Sequence, residues 1–305
     1  MFEKLIKEEK SVVLIVNAHS RKGERLYSQA MDMLDKRGVL LAASYSVQDP
    51  MRIPEVVKEA IGRGCKLIIV GGGDGTISSV IDYLACQNIV LGILPLGTGN
   101  YFAKTLEIPS DLDSAVDVIV RGKIVHIDLG KVNDDYFANV SSIGLTTMVA
   151  RKISRHLKKY LGRVAYGIVG VQCSFTFRPF DCHFIAQEKN ITIKTHQVVI
   201  ANGCFQGGGL VAPETRLDNH KLAVFTMGEY SRWQLLKTWT AFFLGKHTLL
   251  SESNYFSTHE VFVKTNPPQY VDIDGEVTVQ TPAHFSIARD ALKVIVPSEY
   301  KEQVE

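Results

Sequence analysis

The chain has 305 residues, of which 46% are hydrophobic and 22% charged, a balance that excludes disordered and fibrous proteins. The 34 Lys and Arg nearly offset the 32 Asp and Glu, and a net charge of +2 argues against a dedicated nucleic-acid binder. The length favours about two domains.

Cysteine usage and the N-terminus bear on the compartment. The five cysteines are scattered and never spaced as C-x-x-C, which favours reduced thiols over a disulfide framework or a zinc site. Residues 1–10 are charged throughout and lack the apolar core of a signal peptide. No uncharged apolar run reaches the roughly 18 residues that span a bilayer. We therefore expect a soluble, cytoplasmic protein.

Strand and helix patterns alternate over the first 125 residues. Short, β-branched apolar runs predict four strands, at 12–16, 40–45, 66–70 and 89–94. Helical spacing of apolar residues follows the first three strands, around 26–34, 53–61 and 77–85. This alternation predicts an α/β domain built on a parallel, doubly wound sheet with right-handed crossovers.

From about Lys123 the pattern changes to short strand candidates, and only Thr147–Thr176 and Ser231–Leu249 look helical. This texture predicts a β-rich domain with an antiparallel sheet or sandwich. We place the boundary near Gly122, which gives domains over 1–122 and 123–305, the last residues being free to pack back on the first domain. The strand candidates are 124–129, 136–140, 183–185, 191–193, 198–201, 222–227, 260–264, 277–280 and 292–296.

The segment Gly71-Gly72-Gly73-Asp74-Gly75-Thr76 carries the clearest chemical signal. Glycines after a strand permit positive φ and close approach of the backbone, and successive N–H groups leading into a helix suit a phosphate. A tight turn without a ligand is the alternative. Neither a dinucleotide fingerprint nor a G-x-x-x-x-G-K-[ST] loop is present.

A second glycine-rich loop, Leu94-Pro95-Leu96-Gly97-Thr98-Gly99-Asn100, leaves the end of the fourth predicted strand. Ligands of doubly wound sheets bind at the carboxyl ends of the strands. The loops at Asn17, Gly71 and Gly97 all emerge there. Together they predict a nucleotide site more strongly than any one loop.

These two loops and several later motifs resemble the diacylglycerol kinase and sphingosine kinase superfamily, most nearly its soluble bacterial diacylglycerol kinase-like lipid kinases. The resemblance spans roughly residues 12–297. A lone G-G-D-G-T is not specific, since NAD kinases and phosphofructokinases share something close to it. The ordered set is specific; its later members are Ile127-Asp128-Leu129-Gly130, Asn202-Gly203, Gly207-Gly208-Gly209, Ala212-Pro213 and Ile273-Asp274-Gly275-Glu276.

The resemblance implies an ATP-binding α/β domain, a β-rich lipid-binding domain and an active site in the cleft between them. It implies a kinase that uses ATP and Mg²⁺ to phosphorylate the hydroxyl of a diacylglycerol-like lipid. Asn17 and Ser44 would lie beside the nucleotide. The ATP phosphates would be held by Gly72, Gly73, Asp74, Gly75, Thr76, Ile77, Ser78 and Thr98.

The same resemblance assigns the catalytic groups. Asp74 would organise the phosphate-bound Mg²⁺, and Glu276 would be the general base, with Asp128 as the next carboxylate to test. Taken alone, Asp274-Gly275-Glu276 also reads as a surface hairpin turn. A structural Mg²⁺ is implied near Arg216, Asn219 and Lys221.

The chain departs from the family pattern at three places. Ser78 and Ser79 replace a usual Asn-Glu pair, and Tyr101 replaces a usual Asp. Asp218-Asn219-His220 replaces an Asp-Asp-Gly turn, and a neutral Asn is a poorer ligand for Mg²⁺ than a carboxylate. Two alternatives therefore stay open: a kinase of a soluble substrate, as in NAD kinases, and a protein that binds nucleotide or lipid with weakened catalysis.

Two further segments bear on partners, for which we expect a lipid substrate, peripheral contact with the inner membrane face and no nucleic acid, with a homodimer left open. Arg151–Arg163 holds six Lys and Arg and no acid. Such a run is usually a solvated helix face, but it also suits anionic lipid. Trp233 and Trp239, the two tryptophans, share an apolar segment for which core packing is the favoured role.

Overall fold

The structure, a computed structural model, describes residues 11–20, 22–153, 163–186, 189–203, 205–206, 209–210, 217, 219–243 and 254–302. Its helices are α1 (Gly23–Lys36), α2 (Ile53–Gly62), α3 (Asp74–Leu84), α4 (Tyr101–Thr105), α5 (Leu112–Arg121), α6 (Leu145–Lys152), α7 (Arg163–Thr176) and α8 (Arg232–Phe243). Its first strands are β1 (Val12–Asn17), β2 (Leu41–Val47), β3 (Leu67–Gly72), β4 (Val90–Pro95), β5 (Lys123–Val132), β6 (Asp135–Phe137), β7 (Val140–Gly144), β8 (Phe180–Ala186) and β9 (Lys189–Thr195). The later strands are β10 (Gln197–Ala201), β11 (Phe205–Gln206), β12 (Gly209–Leu210), β13 (Leu222–Met227), β14 (Asn254–Thr258), β15 (Glu260–Asn266), β16 (Tyr270–Ile273), β17 (Glu276–Gln280) and β18 (Ala283–Val296).

The chain divides into two compact units. The first contains residues 1–129, 217–219 and 288–305, and the second contains 130–216 and 220–287. This division falls after Leu129, inside the continuous strand β5, and not at the predicted Gly122, which precedes that strand. The C-terminal segment belongs to the first unit.

A parallel sheet in the order β2-β1-β3-β4 forms the first unit. The part of β18 within this unit lies parallel to β4, with Lys293 opposite Val90. The strands β1, β3 and β4 are apolar and almost wholly buried, as parallel strands covered on both faces must be. Helix α1 contacts α5, and α2 contacts α3, so the predicted doubly wound architecture is confirmed.

The second unit is an antiparallel β-sandwich with three described helices. One sheet has the order β14-β13-β10-β7-β16-β17. In the other, β15 lies between β8 and the first residues of β18, and β9 pairs with the far side of β8. Phe137, Phe180, Phe184 and Phe285 lie in the apolar core formed by residues from both sheets. The predicted antiparallel, β-rich domain is therefore confirmed.

The helices α6, α7 and α8 share a smaller apolar core within the second unit. It contains Val149, Val169, Cys173, Leu235 and Trp239. A Cβ added at Gly170 would lie 1.7 Å from the Trp239 ring, so α7 and α8 meet closely at this glycine. Over the described part of the chain, no helix is long and apolar enough to cross a membrane.

The described cysteines fit the predicted reduced thiols. Cys65, Cys86, Cys173 and Cys182 are in no disulfide, and only Cys86 is exposed. Burial raises the pKa of the Cys65 thiol to about 11 and raises that of Cys182 further. Cys204 lies outside the described residues.

Candidate functional site

Three loops leave the first sheet at the carboxyl ends of β1, β3 and β4. These strands end at the same level of the sheet, since Val16 pairs with Gly71 and Gly72 pairs with Pro95. The amide of Leu96 donates to the carbonyl of Gly72 at 2.9 Å, which joins the second and third loops. The sheet therefore brings the two predicted phosphate loops together at the edge where such folds bind ligands.

The glycines in these loops allow close packing of the two loops rather than positive φ. A Cβ added at Gly97 would lie 2.4 Å from the Cα of Gly73, so the loops touch backbone to backbone. A Cβ at Gly72 would lie 2.5 Å from the Thr76 side chain. All three are described by the structure, and Gly72, Gly73 and Gly97 do not have positive φ. Positive φ is therefore not what these glycines provide. They do allow a close approach of the backbone, as predicted, but what approaches is the backbone of the other loop.

Polar side chains connect the start of α3 to its neighbours. Asn17 Nδ2 donates to Thr76 Oγ1 at 2.8 Å, so the end of β1 is tied to the first turn of α3. Asp74, the first residue of α3, accepts from the backbone amide of Phe102 in α4 at 3.1 Å. Its carboxylate also stabilises the positive end of the α3 dipole.

Asn100 shapes the second loop, a role that sequence reasoning did not assign. It is buried and has a φ of +51°, the left-handed region that Asn tolerates better than most residues. Its Oδ1 accepts from the amide of Gly97 at 3.0 Å, and its Nδ2 donates to the carbonyls of Pro95 and Gly97. The loop therefore holds its shape through one side chain, leaving Thr98 exposed.

The remaining residues predicted to bind nucleotide differ in their placement. Gly75 is exposed, with open space where a Cβ would be, and Ser78 is half-buried in the first two turns of α3. Ile77 is buried in the core, and its amide donates to the carbonyl of Gly73. Ser44 pairs with Leu14 within the sheet, three positions before the end of β2, and its Oγ accepts from the Tyr27 hydroxyl. The structure does not bring Ser44 to the edge with the others.

The predicted general base lies on the β16–β17 hairpin of the second unit. Asp274 and Gly275 form its turn with φ of +48° and +99°, the backbone that Asp-Gly favours in a two-residue hairpin. The Asp274 carboxylate accepts from three successive backbone amides, those of Ala138, Asn139 and Val140, at 2.6, 3.1 and 3.0 Å. Asp274 therefore anchors the turn to the segment before β7.

The other two carboxylates of this hairpin differ in exposure. Glu276 is the first residue of β17 and is exposed, whereas Asp272 on β16 is buried and accepts from the amide of Gly275 at 2.9 Å. Burial, helped by the nearby charges of Asp274 and Glu276, raises the pKa of Asp272 to about 6. Thus two carboxylates hold the turn and the third faces solvent. Sequence reasoning missed Asp272, since nothing in a strand segment marks one acidic residue as buried.

Asn202 explains part of the Asn202-Gly203 motif. Its side chain is fully buried, and its Nδ2 donates to the carbonyl of Ala138 at 3.0 Å. The amides of Asn202 and Gly203 both donate to the carbonyl of Asn139. This motif therefore positions the backbone that in turn holds Asp274.

Asp128, the alternative base, is only 1% exposed. Its Oδ1 accepts from the amide of Asp290 at 3.0 Å, within the first unit. A carboxylate enclosed in this way braces the backbone at Asp290, whose φ is +50°, and is not available to a bulky acceptor. The structure thus corrects the ranking of Asp128 as a second candidate.

The predicted metal sites fit the described residues unequally. No group of three or more His, Cys, Asp or Glu side chains that could hold a metal ion occurs in the described part of the chain. A nucleotide-borne Mg²⁺ needs only one or two carboxylates beside phosphates and water, and Asp74 at the phosphate loop meets that need. For the structural ion, Arg216 lies outside the described residues, as does Asp218. Asn219 and Lys221 alone do not make a cation site, and this ion stays a prediction.

The predicted membrane segment is only partly described. Residues 154–162, with Lys158 and Lys159, lie outside the described residues, as do Gly207, Gly208 and Ala212-Pro213 of the ordered motifs. Trp239 is buried, as its predicted core role requires. Trp233 is 74% exposed, and for it the core prediction is wrong.

Known protein families match this chain over nearly its whole length. Residues 11–132 match the diacylglycerol kinase catalytic domain. Residues 139–296 match the YegS C-terminal NAD kinase beta sandwich-like domain. The first match contains both glycine-rich loops, and the second contains the Asp274–Glu276 turn.

Curated relatives agree with these matches. A diacylglycerol kinase of Staphylococcus carnosus is 27% identical over 282 residues, covering 91% of this chain and 92% of the relative. A diacylglycerol kinase of Bacillus subtilis is 29% identical over 255 residues, covering 81% of this chain and 83% of the relative. The similarity therefore includes both units.

Solved structures bear on the fold. The crystal structure of a diacylglycerol kinase from Bacillus anthracis superposes with a TM-score of 0.72 at 20% identity, covering 94% of this chain and 97% of that chain. A second structure from that organism gives a TM-score of 0.76 at 22% identity. The resemblance drawn from the ordered motifs is confirmed, and the chain belongs to the diacylglycerol kinase-like family whose catalytic domain is followed by a YegS-type β-sandwich.

Proposed function

We propose that this protein transfers the γ-phosphoryl group of ATP to the hydroxyl of a diacylglycerol-like lipid, as a cytoplasmic enzyme acting at the membrane surface. The lipid oxygen attacks the γ-phosphorus, the bond to the ADP oxygen breaks, and the hydroxyl proton passes to Glu276. Membership of a kinase family supports the coarse reaction, phosphoryl transfer. The relatives named diacylglycerol kinase favour a lipid acceptor.

The exposure of Glu276 on an anchored turn carries the proposal. Asp272 and Asp274 accept four backbone hydrogen bonds between them, so the turn is held from both sides. Asp272 is buried, Asp274 is half-buried and Glu276 is exposed, so Glu276 is the carboxylate of this hairpin most open to solvent and therefore to a substrate hydroxyl. A general base needs such access within hydrogen-bond distance of the proton that it takes.

The nucleotide side of the proposal rests on the loops of the first unit. The N-terminus of α3, with Gly75 open to solvent, presents backbone amides to an anion. Thr98 is exposed on the adjoining loop and can donate to a phosphate oxygen. A nucleotide-borne Mg²⁺ would neutralise phosphate charge, and Asp74 would be the side chain that holds it.

The deciding experiment compares Glu276→Gln with wild type in an assay that follows radiolabelled phosphate from ATP into organic-extractable lipid. Loss of a general base should lower the rate roughly 10²- to 10⁴-fold. ATP affinity, measured by calorimetry, should be unchanged because the phosphate loops are on the other unit. Glu260→Gln is the matched control, since Glu260 is also the exposed first residue of a strand. Near-normal turnover by Glu276→Gln would assign the base to another residue.

The same assay tests the alternatives. A kinase of a soluble acceptor would leave the label in the aqueous phase. This acceptor class stays open because the second domain matches a sandwich described as similar to that of NAD kinase. Label that stays in ATP, with ATP still bound, would indicate a protein weakened at Ser78, Ser79 or Tyr101.

A further inference from the structure

Helix α7 carries a stripe of exposed apolar side chains. Val164, Ile168, Val171 and Phe175 are each between 39 and 54% exposed. Their spacing of four, three and four residues places them within about 60° of arc on one side of the helix. A soluble helix normally turns polar residues to this side.

The stripe is not the packing face of the helix. Ala165, Val169 and Cys173 are buried on the opposite side, toward α6 and α8. Residues 164–176 contain no charged side chain, so α7 is apolar on both faces. Contiguous exposed apolar surface of this kind marks a site of contact with a protein or a membrane.

Trp233 on α8 extends the stripe. Its ring packs edge-on against Phe175, with centroids 6.1 Å apart and an interplanar angle of 84°, and it remains 74% exposed. Tryptophan is enriched where one end of a side chain meets lipid and the other meets water. Lys237 is exposed one turn further on the same side of α8, where its ammonium group can reach lipid headgroups.

The surrounding sequence is strongly positive although the chain as a whole is nearly neutral. Residues 145–180 and 230–251 together contain ten Lys and Arg and no Asp or Glu. Among those that the structure describes, Arg151, Lys152, Arg178, Arg232 and Lys237 are exposed. An apolar stripe inside an acid-free, basic region matches the surface of an anionic bilayer.

We propose that the outer face of α7 and α8, formed by Val164, Ile168, Val171, Phe175 and Trp233, docks this protein on bilayers rich in anionic phospholipid. A second copy is a poorer occupant, because a two-fold interface would press this basic region against itself. This docking serves the proposed lipid kinase function and rests on it, but vesicle binding itself requires neither ATP nor turnover. It can therefore fail or succeed separately from the kinase assay.

The test measures binding of the full chain to vesicles of phosphatidylcholine alone and of phosphatidylcholine mixed with phosphatidylglycerol. The variants are Ile168→Gln and, as a matched control, Ile185→Gln, since the two isoleucines are 46 and 51% exposed in the same unit. We expect binding to the anionic vesicles only, weakened by salt. We expect Ile168→Gln to weaken it about tenfold and Ile185→Gln to leave it unchanged.

Tryptophan fluorescence gives a second readout that does not depend on a variant's affinity. Vesicles with brominated acyl chains should quench wild-type emission, and the quenching should be lost in Trp233→Phe because Trp239 is buried. Equal binding by wild type, Ile168→Gln and Ile185→Gln, or binding without quenching, would overturn the proposal. So would a change in oligomeric state in Ile168→Gln with vesicle binding unaltered, which would assign the stripe to a second copy.

Discussion

Asp272 and Asp274 lie two residues apart on the β16–β17 hairpin but have different surroundings. The Asp274 carboxylate accepts hydrogen bonds from three successive backbone amides. Asp272 is 7% exposed, accepts a hydrogen bond from the backbone amide of Gly275 and lies near two other carboxylates. Its burial opposes the charge, so this position costs stability at neutral pH that the fold must recover elsewhere.

Asp272→Asn should therefore stabilise the protein, in a pH-dependent way. The folded chain holds the Asp272 proton more tightly than the unfolded chain, so the free energy of unfolding falls as pH rises from about 4 to 6. Asparagine does not titrate and keeps an oxygen for the Gly275 amide. Urea unfolding should show a gain on the order of 3 kcal/mol at pH 7 that disappears below pH 4. A variant less stable than wild type at pH 7 would show that the charged form is needed.

Sequence reasoning located the Asp274–Glu276 turn but could not separate the roles within it. Asp-Gly marks a hairpin in any sequence, and the family resemblance assigned Glu276 its chemistry. The role of Asp274 depends on amides at 138–140, which are distant in sequence and are oriented by Asn202. A contact of that kind leaves no local pattern.

Among the elements, the two glycine-rich loops act as one unit because they touch at Gly73 and Gly97. The stabilising contact is between backbones, so side chains are excluded there whether or not a nucleotide is bound. At Gly75 the surroundings are open, so only a ligand would oppose a side chain. A substitution at Gly97 therefore tests the packing of the two loops, and a substitution at Gly75 tests the binding of a ligand.

Gly97→Ala and Gly75→Ala should therefore have different effects. Gly97→Ala pushes the loops apart and should lower the free energy of unfolding by about 1 to 3 kcal/mol, together with ATP affinity. Gly75→Ala should stabilise α3 by up to about 1 kcal/mol, yet weaken ATP binding because the methyl group meets the phosphate. Thermal unfolding and calorimetry of both variants check this. Unchanged ATP affinity in Gly75→Ala would remove the phosphate from the N-terminus of α3.

The elements that were predicted well are those whose pattern is local. The parallel strands are short β-branched runs, and their predicted bounds agree with β1, β3 and β4 to within one or two residues. Helix α5, with its Asp111 cap on the Ser114 amide, was not predicted, nor were β14 and β16. Strand β18 was predicted only from 292, because Asp290 interrupts its pattern and is held by Asp128 from another strand.

At the scale of the whole molecule, the chain completes its first unit with its last residues. Length and texture were enough to predict two domains of the right classes. They left the last residues free to pack back on the first domain, but they could not show that this return begins at residue 288 or that residues 217–219 also belong there, because both depend on long-range pairing. Leu217 is fully buried there, and its carbonyl accepts from the amide of Asp128.

A fragment containing residues 1–129 should consequently not fold on its own. It lacks Leu292, Val294, Ile295 and Val296, all buried, and it leaves the β4 edge without its parallel neighbour. Circular dichroism should show no cooperative thermal transition, and adding a peptide of residues 283–302 should restore one in part. A transition at the wild-type midpoint in the fragment alone would mean that the returning strand is dispensable.

The late position of β18 also has a consequence for synthesis in the cell. The ribosome must make the entire second unit after β4 before the neighbour of β4 exists, a delay of roughly 10 to 40 seconds at ordinary elongation rates. During that time an apolar strand edge is open to neighbouring nascent chains and to chaperones. The yield of active protein should thus depend on how fast translation reaches its final residues.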